Sequence, residues 1–370
     1  VIPVNEPLLD GRERELLAEC VDTGWISSDG PFVGAFEEGF AGYLGAAHGI
    51  AVCNGTAALE VALYAAGVGE GDEVIMPSFT IVSCAIAAVR LGARPVLVDV
   101  EPDTWCMAVD QVAAVITPRT RAIMPVHMYG HPVDLDPLLE LARIHGLAVI
   151  EDAAQVHGAE YKGRKCGGIG DLGSFSFYAN KILTTGEGGM VVTSDERLAE
   201  RARSYRNLCF RPERRFYHTE LGYNYRMTNL QAAVGVAQLE RLDEFVARKR
   251  ALGERYREGL GDLPGVRTQV ERSWAKGVYW MYCMELDPET GWDAAGFMAE
   301  LGARGIGTRP FFLGLHEQPA LVDQGWVEPG LSFPVTERSA RQGLYLPSGL
   351  ALTAAQVDEV VATVRNVLNR

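Results

Sequence analysis

The chain has 370 residues, 48% of them hydrophobic and 22% charged, which excludes a disordered, collagen-like or coiled-coil protein. Its net charge of −14 argues against a general nucleic-acid binder, because phosphate contacts need basic surface. No apolar run approaches the roughly 18 to 20 residues of a membrane span, and residues 1–6 lack the basic and apolar stretches of a signal peptide, so a cytoplasmic enzyme off the membrane is expected.

In chain order, strands are expected at 49–53, 73–77, 95–100, 122–127, 148–151, 174–177 and 190–193, several of them continuous apolar runs of the kind covered on both faces. Helical patterns at 57–66, 81–91, 109–115, 135–145 and 196–208 alternate with them. That alternation indicates a mainly parallel sheet with helices on both sides, and ligand binding at the carboxyl edge of its strands. Residues 230–260 read as one long or broken amphipathic helix. Beyond Pro264, shorter strands (279–286, 306–309) and helices (293–304, 354–368) suggest a smaller α+β domain. The expected division is 1–245 and 246–370.

Seven scattered cysteines, no two of them three apart, point to free thiols in a reducing compartment and to no metal site. Only five residues are lysine against 29 arginines, so a lysine inside an uncharged segment stands out.

Three segments carry chemistry. Asn54-Gly55-Thr56-Ala57-Ala58 follows a strand and opens a helix; its small residues let backbone N–H groups approach an anion, although an ordinary capped helix start fits equally well. Glu151-Asp152 ends a buried strand, so at least one carboxylate should enter the site, where an ionised aspartate can hold a heterocyclic nitrogen protonated; a simple cap is the plainer reading. Gln155, three residues on, can face the same ligand. The third segment decides. Gly173-Ser174-Phe175-Ser176-Phe177-Tyr178-Ala179-Asn180-Lys181 delivers a lone lysine into the glycine-rich turn Gly186-Glu187-Gly188-Gly189. An amine desolvated there has a lowered pKa and becomes a Schiff-base nucleophile.

Together with Trp25-Ile26-Ser27-Ser28, Gly71-Asp72-Glu73-Val74-Ile75, Pro125-Val126-His127 and Asn224-Tyr225-Arg226-Met227, these segments resemble the sugar-nucleotide aminotransferases of the DegT family, over essentially the whole chain. The resemblance implies an aspartate-aminotransferase-like α/β fold (fold type I), with a large, mostly parallel sheet domain and a smaller C-terminal domain. It implies pyridoxal 5'-phosphate as cofactor, cycling through pyridoxamine phosphate. Lys181 would bind the cofactor and shuttle the proton, and Asp152 would pair with the pyridinium nitrogen. Phe79 would stack on the ring, Gly55, Thr56 and Ser176 would hold the phosphate, and Gln155 would hold the ring hydroxyl. Asn224 would reach the phosphate across the interface of a homodimer with shared active sites.

Substrate contacts are expected from Trp25, Ser27, Arg215, Arg309 and His316, with Arg206, Arg211 and Arg214 completing a basic patch suited to a diphosphate. His127, on an apolar strand, reads as a satisfied core residue, and His157 could touch substrate. The family's sugar dehydratases carry histidine where this chain has Lys181, so transamination is favoured. The expected reaction moves the amino group of L-glutamate to a nucleotide-linked 4-keto-6-deoxysugar, first of all GDP-4-keto-6-deoxymannose to give GDP-perosamine. The alternatives are a dTDP- or UDP-linked ketone, amination at C3 and, more remotely, a cofactor-binding regulator.

Overall fold

The computed structural model describes residues 1–210, 214 and 216–369. Seven strands form the main sheet in the order His48–Val52, Gly189–Thr193, Leu172–Ser176, Ala148–Asp152, Thr120–Ile123, Glu73–Pro77 and Arg94–Val98. Every neighbouring pair is parallel except the two made by Gly189–Thr193, which runs against both of its neighbours. His48–Val52, Ala148–Asp152 and Leu172–Ser176 therefore end at one edge. The central strands are covered on both faces: all five residues of Glu73–Pro77 are buried.

Most expected elements are present, with differences that have local causes. The strand expected over 122–127 stops at Ile123, because Pro125 has no N–H to give the ladder; the chain rejoins the sheet through the isolated Val126–Asp152 bridge. Residues Val109–Val115 form a 3₁₀ helix instead of an α-helix. The long 230–260 pattern is broken into Asn229–Leu239 and Leu242–Leu260. The first opens with a capping box between Thr228 and Gln231, and Arg241 at the break is tied to Asp10 and Glu244.

Helices Glu13–Thr23 and Pro31–Leu44 come from a region with no sequence assignment. The second starts with proline at its first turn and buries Phe36 and Phe40 against Phe177, with Phe40 also on Phe175. It thus braces the strand that leads to Lys181. Fully buried, each such phenylalanine contributes on the order of 2–3 kcal/mol of apolar burial.

A second sheet, in the order Val266–Thr268, Tyr282–Leu286, Gly343–Leu346 and Arg309–Pro310, is antiparallel throughout. Its core includes Phe297, Leu301, Val360 and Val364. The proposed division at about 245 falls inside helix Leu242–Leu260, whose Leu242 and Phe245 pack in the main core while Leu252, Tyr256 and Leu260 pack in the second. Ile2 also joins the second core, bridging to Ile306. No described helix is long and apolar enough to cross a membrane.

Candidate active site

A cleft of about 410 Å³ opens where strands His48–Val52, Ala148–Asp152 and Leu172–Ser176 end. The chain brings Gly55, Thr56, Asp152, Gln155, Ser176 and Lys181 to its walls, and this carboxyl edge is where open α/β sheets bind ligands.

One wall is a helix N-terminus. Asn54 caps helix Gly55–Ala65 by accepting from the Ala57 N–H at 2.8 Å. Gly55 has to be glycine: a Cβ there would lie 2.6 Å from Cβ of Ser176. Without it, the helix end could not close on the strand bearing Ser176. Thr56 Oγ1 donates to Ser83 Oγ at 2.9 Å, placing two further hydroxyl groups beside the free N–H groups of the first turn. The result is a small cradle of neutral donors suited to an anion.

The paired carboxylates separate by direction. Glu151, fully buried, turns away from the cleft. It accepts N–H bonds of 2.7 Å from Gly167, Ile169 and Gly170 and pairs with His127 Nε2 at 2.9 Å. Burial pushes its pKa up, but the His127 pairing and backbone donors outweigh that and leave it below the ordinary value. His127 takes the Val133 N–H on Nδ1, so it is a satisfied core residue, as the apolar stretch before it suggests. Asp152 faces the cleft and is 3% exposed. Its Oδ1 accepts from the Ala154 N–H at 3.1 Å and its Oδ2 from the Cys84 thiol at 3.1 Å. Burial, reinforced by Asp152, raises the Cys84 pKa well above the usual thiol range, so that side chain is held as a donor.

Lys181 lies in the turn that follows Leu172–Ser176, its Nζ 3.8 Å from the centre of the Trp280 ring. Desolvation lowers its pKa to about 8, against a smaller upward pull from Asp152. Gln155 is held by the Tyr129 N–H, which donates to its Oε1 at 2.7 Å.

Other expected residues are placed elsewhere. Phe79 has no exposed surface and packs among Tyr129, Phe311 and Phe312; the cleft wall on that side is Phe312. His316 is engaged at both nitrogens, by Ser78 Oγ at 2.7 Å and Glu337 at 3.3 Å, and does not reach the cleft. Arg309 is exposed and bonded to the Thr308 carbonyl. Trp25 and Ser27 sit on an exposed segment pinned through their carbonyls by Asn229. Asn224 is also exposed and outside this cleft.

The basic patch is corrected in one member. Arg206 pairs with Glu37 and bonds the Ala51 carbonyl, so it braces the main sheet and is not free for a diphosphate. Arg214 lies 4.5 Å from the Tyr217 ring centre, while Arg211 and Arg215 lie outside the described residues. His157 is buried among Phe40, Phe175 and Phe177 rather than at the cleft surface; burial drives its pKa down to about 3.

Sequence reasoning missed Cys84, Trp280 and Tyr345. The last two reach the cleft from the C-terminal part of the chain, and no local spacing marks them.

The donor set fits pyridoxal phosphate: a helix-end cradle for its phosphate, a carboxylate for a cationic ring nitrogen, and an amine of lowered pKa. The profile of the DegT/DnrJ/EryC1/StrS aminotransferase family matches residues 7–365. A GDP-perosamine synthase of Caulobacter vibrioides is 45% identical over 99% of this chain and 98% of its own length. The GDP-perosamine synthase of Vibrio cholerae is 39% identical over 100% of both chains. Among solved structures, DesV of S. venezuelae, determined in complex with a ketimine intermediate, superposes with a TM-score of 0.91 at 39% identity, covering 97% of this chain and 95% of its own.

Proposed function

The chain belongs to the DegT/DnrJ/EryC1/StrS aminotransferase family, and we propose that within it the protein works as a GDP-perosamine synthase. It is a pyridoxal-phosphate-dependent sugar-nucleotide transaminase of fold type I. The reaction moves the amino group of L-glutamate to C4 of GDP-4-keto-6-deoxymannose. One observation carries the reading: relatives bearing that name align from end to end, and the residues that would perform the chemistry converge on one cleft.

The bound cofactor supplies an electron sink and a carrier for the amino group. The rest falls to the chain. Lys181 is the nucleophilic amine and afterwards the base that takes and returns the proton at the substrate carbon. Asp152, oriented by Ala154 and Cys84, would hold a proton on the ring nitrogen. Gly55, Thr56 and Ser176 would hold the phosphate on a helix N-terminus. Gln155 would meet the ring hydroxyl. The wall of Phe312 and Tyr345 suits the apolar face of a 6-deoxysugar. Trp25, Ser27, Arg215, Arg309 and His316 are retained as proposed sugar-nucleotide contacts; among the described ones, Trp25, Ser27, Arg309 and His316 do not line the cleft of the single chain.

The substrate is tested by offering the pyridoxamine form of the protein a panel of GDP-, dTDP- and UDP-linked keto sugars. The expected product is a 4-amino sugar nucleotide from the GDP substrate, read by mass and proton couplings. Preference for a dTDP- or UDP-linked ketone, or amination at C3, overturns the substrate while leaving the transaminase in place.

The proposed homodimer, in the cytoplasm, shares its sites through Asn224. Exposed Leu221 and Tyr223 beside it support that reading, since apolar surface of this kind suits burial against a second copy. Mixing Lys181→Ala with Asn224→Ala protein places one intact site in each mixed dimer. An equal mixture should regain about a quarter of wild-type activity. No recovery despite demonstrated subunit exchange would mean that each site is built from one chain.

A further inference from the structure

Trp280 is one of the most constrained side chains around the cleft. It is 4% exposed, and its ring centre lies 3.8 Å from Lys181 Nζ. Its indole N–H donates to the Asn180 carbonyl at 2.8 Å, so the same side chain touches the amine and holds the residue just before it. The Asn180 carbonyl also accepts from Asn5 Nδ2 at 3.2 Å.

The backbone under the indole is fixed as firmly. Lys249 Nζ, buried in helix Leu242–Leu260, donates to the Trp280 carbonyl at 2.6 Å and to the Ser348 carbonyl. Tyr279 takes a φ of +47°, a left-handed conformation that is uncommon for an aromatic residue. Opposite it, Gly130 has a φ of +106°, and a Cβ there would come within 2.7 Å of the Tyr279 and Trp280 nitrogens. The neighbouring Tyr129, also left-handed, stacks on the Trp280 ring at 6.2 Å and 15° between planes. Local backbone strain of this kind persists where the surroundings over-determine it.

We propose that Trp280 is a positioning residue for Lys181: its indole face seats the flexible amine while its N–H anchors the Asn180 backbone, so the nucleophilic nitrogen is presented to the cleft in one orientation. A lysine carries a long, rotatable stem, and an aromatic face restricts it while attracting its cationic form. Reaction rates respond steeply to such orientation. The inference rests on Lys181 being the cofactor-binding amine.

The test follows covalent capture of added pyridoxal phosphate by the cofactor-depleted full-length chain, as growth of visible absorbance at pH 9. There the Lys181 amine is largely neutral, so orientation is read rather than protonation. Trp280→Leu and Trp280→Met remove the aromatic face and the N–H. Trp280→Phe keeps a smaller aromatic face and loses the N–H. Binding of pyridoxine 5'-phosphate, which has no aldehyde, reports whether the rest of the site is intact.

Capture should slow about tenfold or more in Trp280→Leu and Trp280→Met and less than about threefold in Trp280→Phe, with analogue affinity unchanged in all three. The use of two apolar replacements keeps the reading available if one of them folds poorly. Wild-type capture rates in either apolar variant overturn the proposal. So does a parallel loss of analogue binding, which would make Trp280 an ordinary wall residue. A wild-type adduct mapped by borohydride reduction to a residue other than Lys181 removes the site assignment and this inference together. A wild-type adduct on Lys181, with unimpaired capture by the apolar variants, removes this inference alone.

Discussion

Borohydride treatment of the purified, cofactor-loaded protein should abolish its visible absorption and leave a pyridoxyl adduct on Lys181 and on no other lysine. Lys181→Ala should lower turnover by on the order of 10⁴-fold or more, because the nucleophile and the proton shuttle are removed together. The contrast with Lys249 sharpens the test. That lysine is also buried and lowered, to about 7, but its amine is occupied by two backbone carbonyls and lies outside the cleft. Lowered pKa alone therefore does not select the site; the open cleft and the Asp152 carboxylate do.

The pH dependence has a definite sign. Only the neutral amine attacks an aldehyde, and Lys181 titrates at about 8. Capture should rise about tenfold per pH unit below that value and level off above it. At pH 7 about a tenth of the amine is neutral, against roughly three in ten thousand for an unperturbed lysine, a gain of about 300-fold produced by burial. A plateau that begins only above pH 10 would show that burial does not lower the amine in use, and an adduct on Lys249 would show that this amine is not Lys181.

How far this site was legible in sequence depended on whether its signal was local. The main sheet was, because runs such as Val74–Pro77 are apolar and follow a turn signal at Gly71-Asp72. Lys181 stood out because the chain prefers arginine elsewhere. The Glu151-Asp152 pair was legible as a pair, but the division of roles was not: it depends on the turn at Gly167–Gly170 offering three N–H groups to Glu151. Helix Pro31–Leu44 was hidden by its glycines, which weaken a helical pattern although Phe36 and Phe40 lie on one face. Cys84, Trp280 and Tyr345 had no local mark at all, since only tertiary packing brings them to Asp152 and Lys181. The contacts expected at Arg309, His316 and Phe79 came from family likeness, and the single chain places those side chains away from the cleft surface.

Asp152→Asn should keep the fold and the Lys181 adduct yet slow both half-reactions by about 10²–10³-fold or more. The substitution preserves shape but changes what the two terminal atoms offer. In the native side chain both oxygens accept, one from the Ala154 N–H and one from the Cys84 thiol, leaving negative charge directed into the cleft. An asparagine satisfies Ala154 only by pointing its carbonyl there, which turns its NH₂ toward Cys84 and the cleft. A donor then stands where a cationic ring nitrogen needs an acceptor, so the nitrogen loses its proton and the electron sink weakens. The opposite orientation leaves the Ala154 N–H facing another donor. Either way the loss should appear mainly in turnover, with cofactor retained through the Lys181 bond and the phosphate cradle. Single-turnover rates with glutamate and with the keto sugar, measured separately, should fall together. Rates within about threefold of wild type in both would mean that the carboxylate only caps the turn at Ala154, and that the ring nitrogen is held by another group.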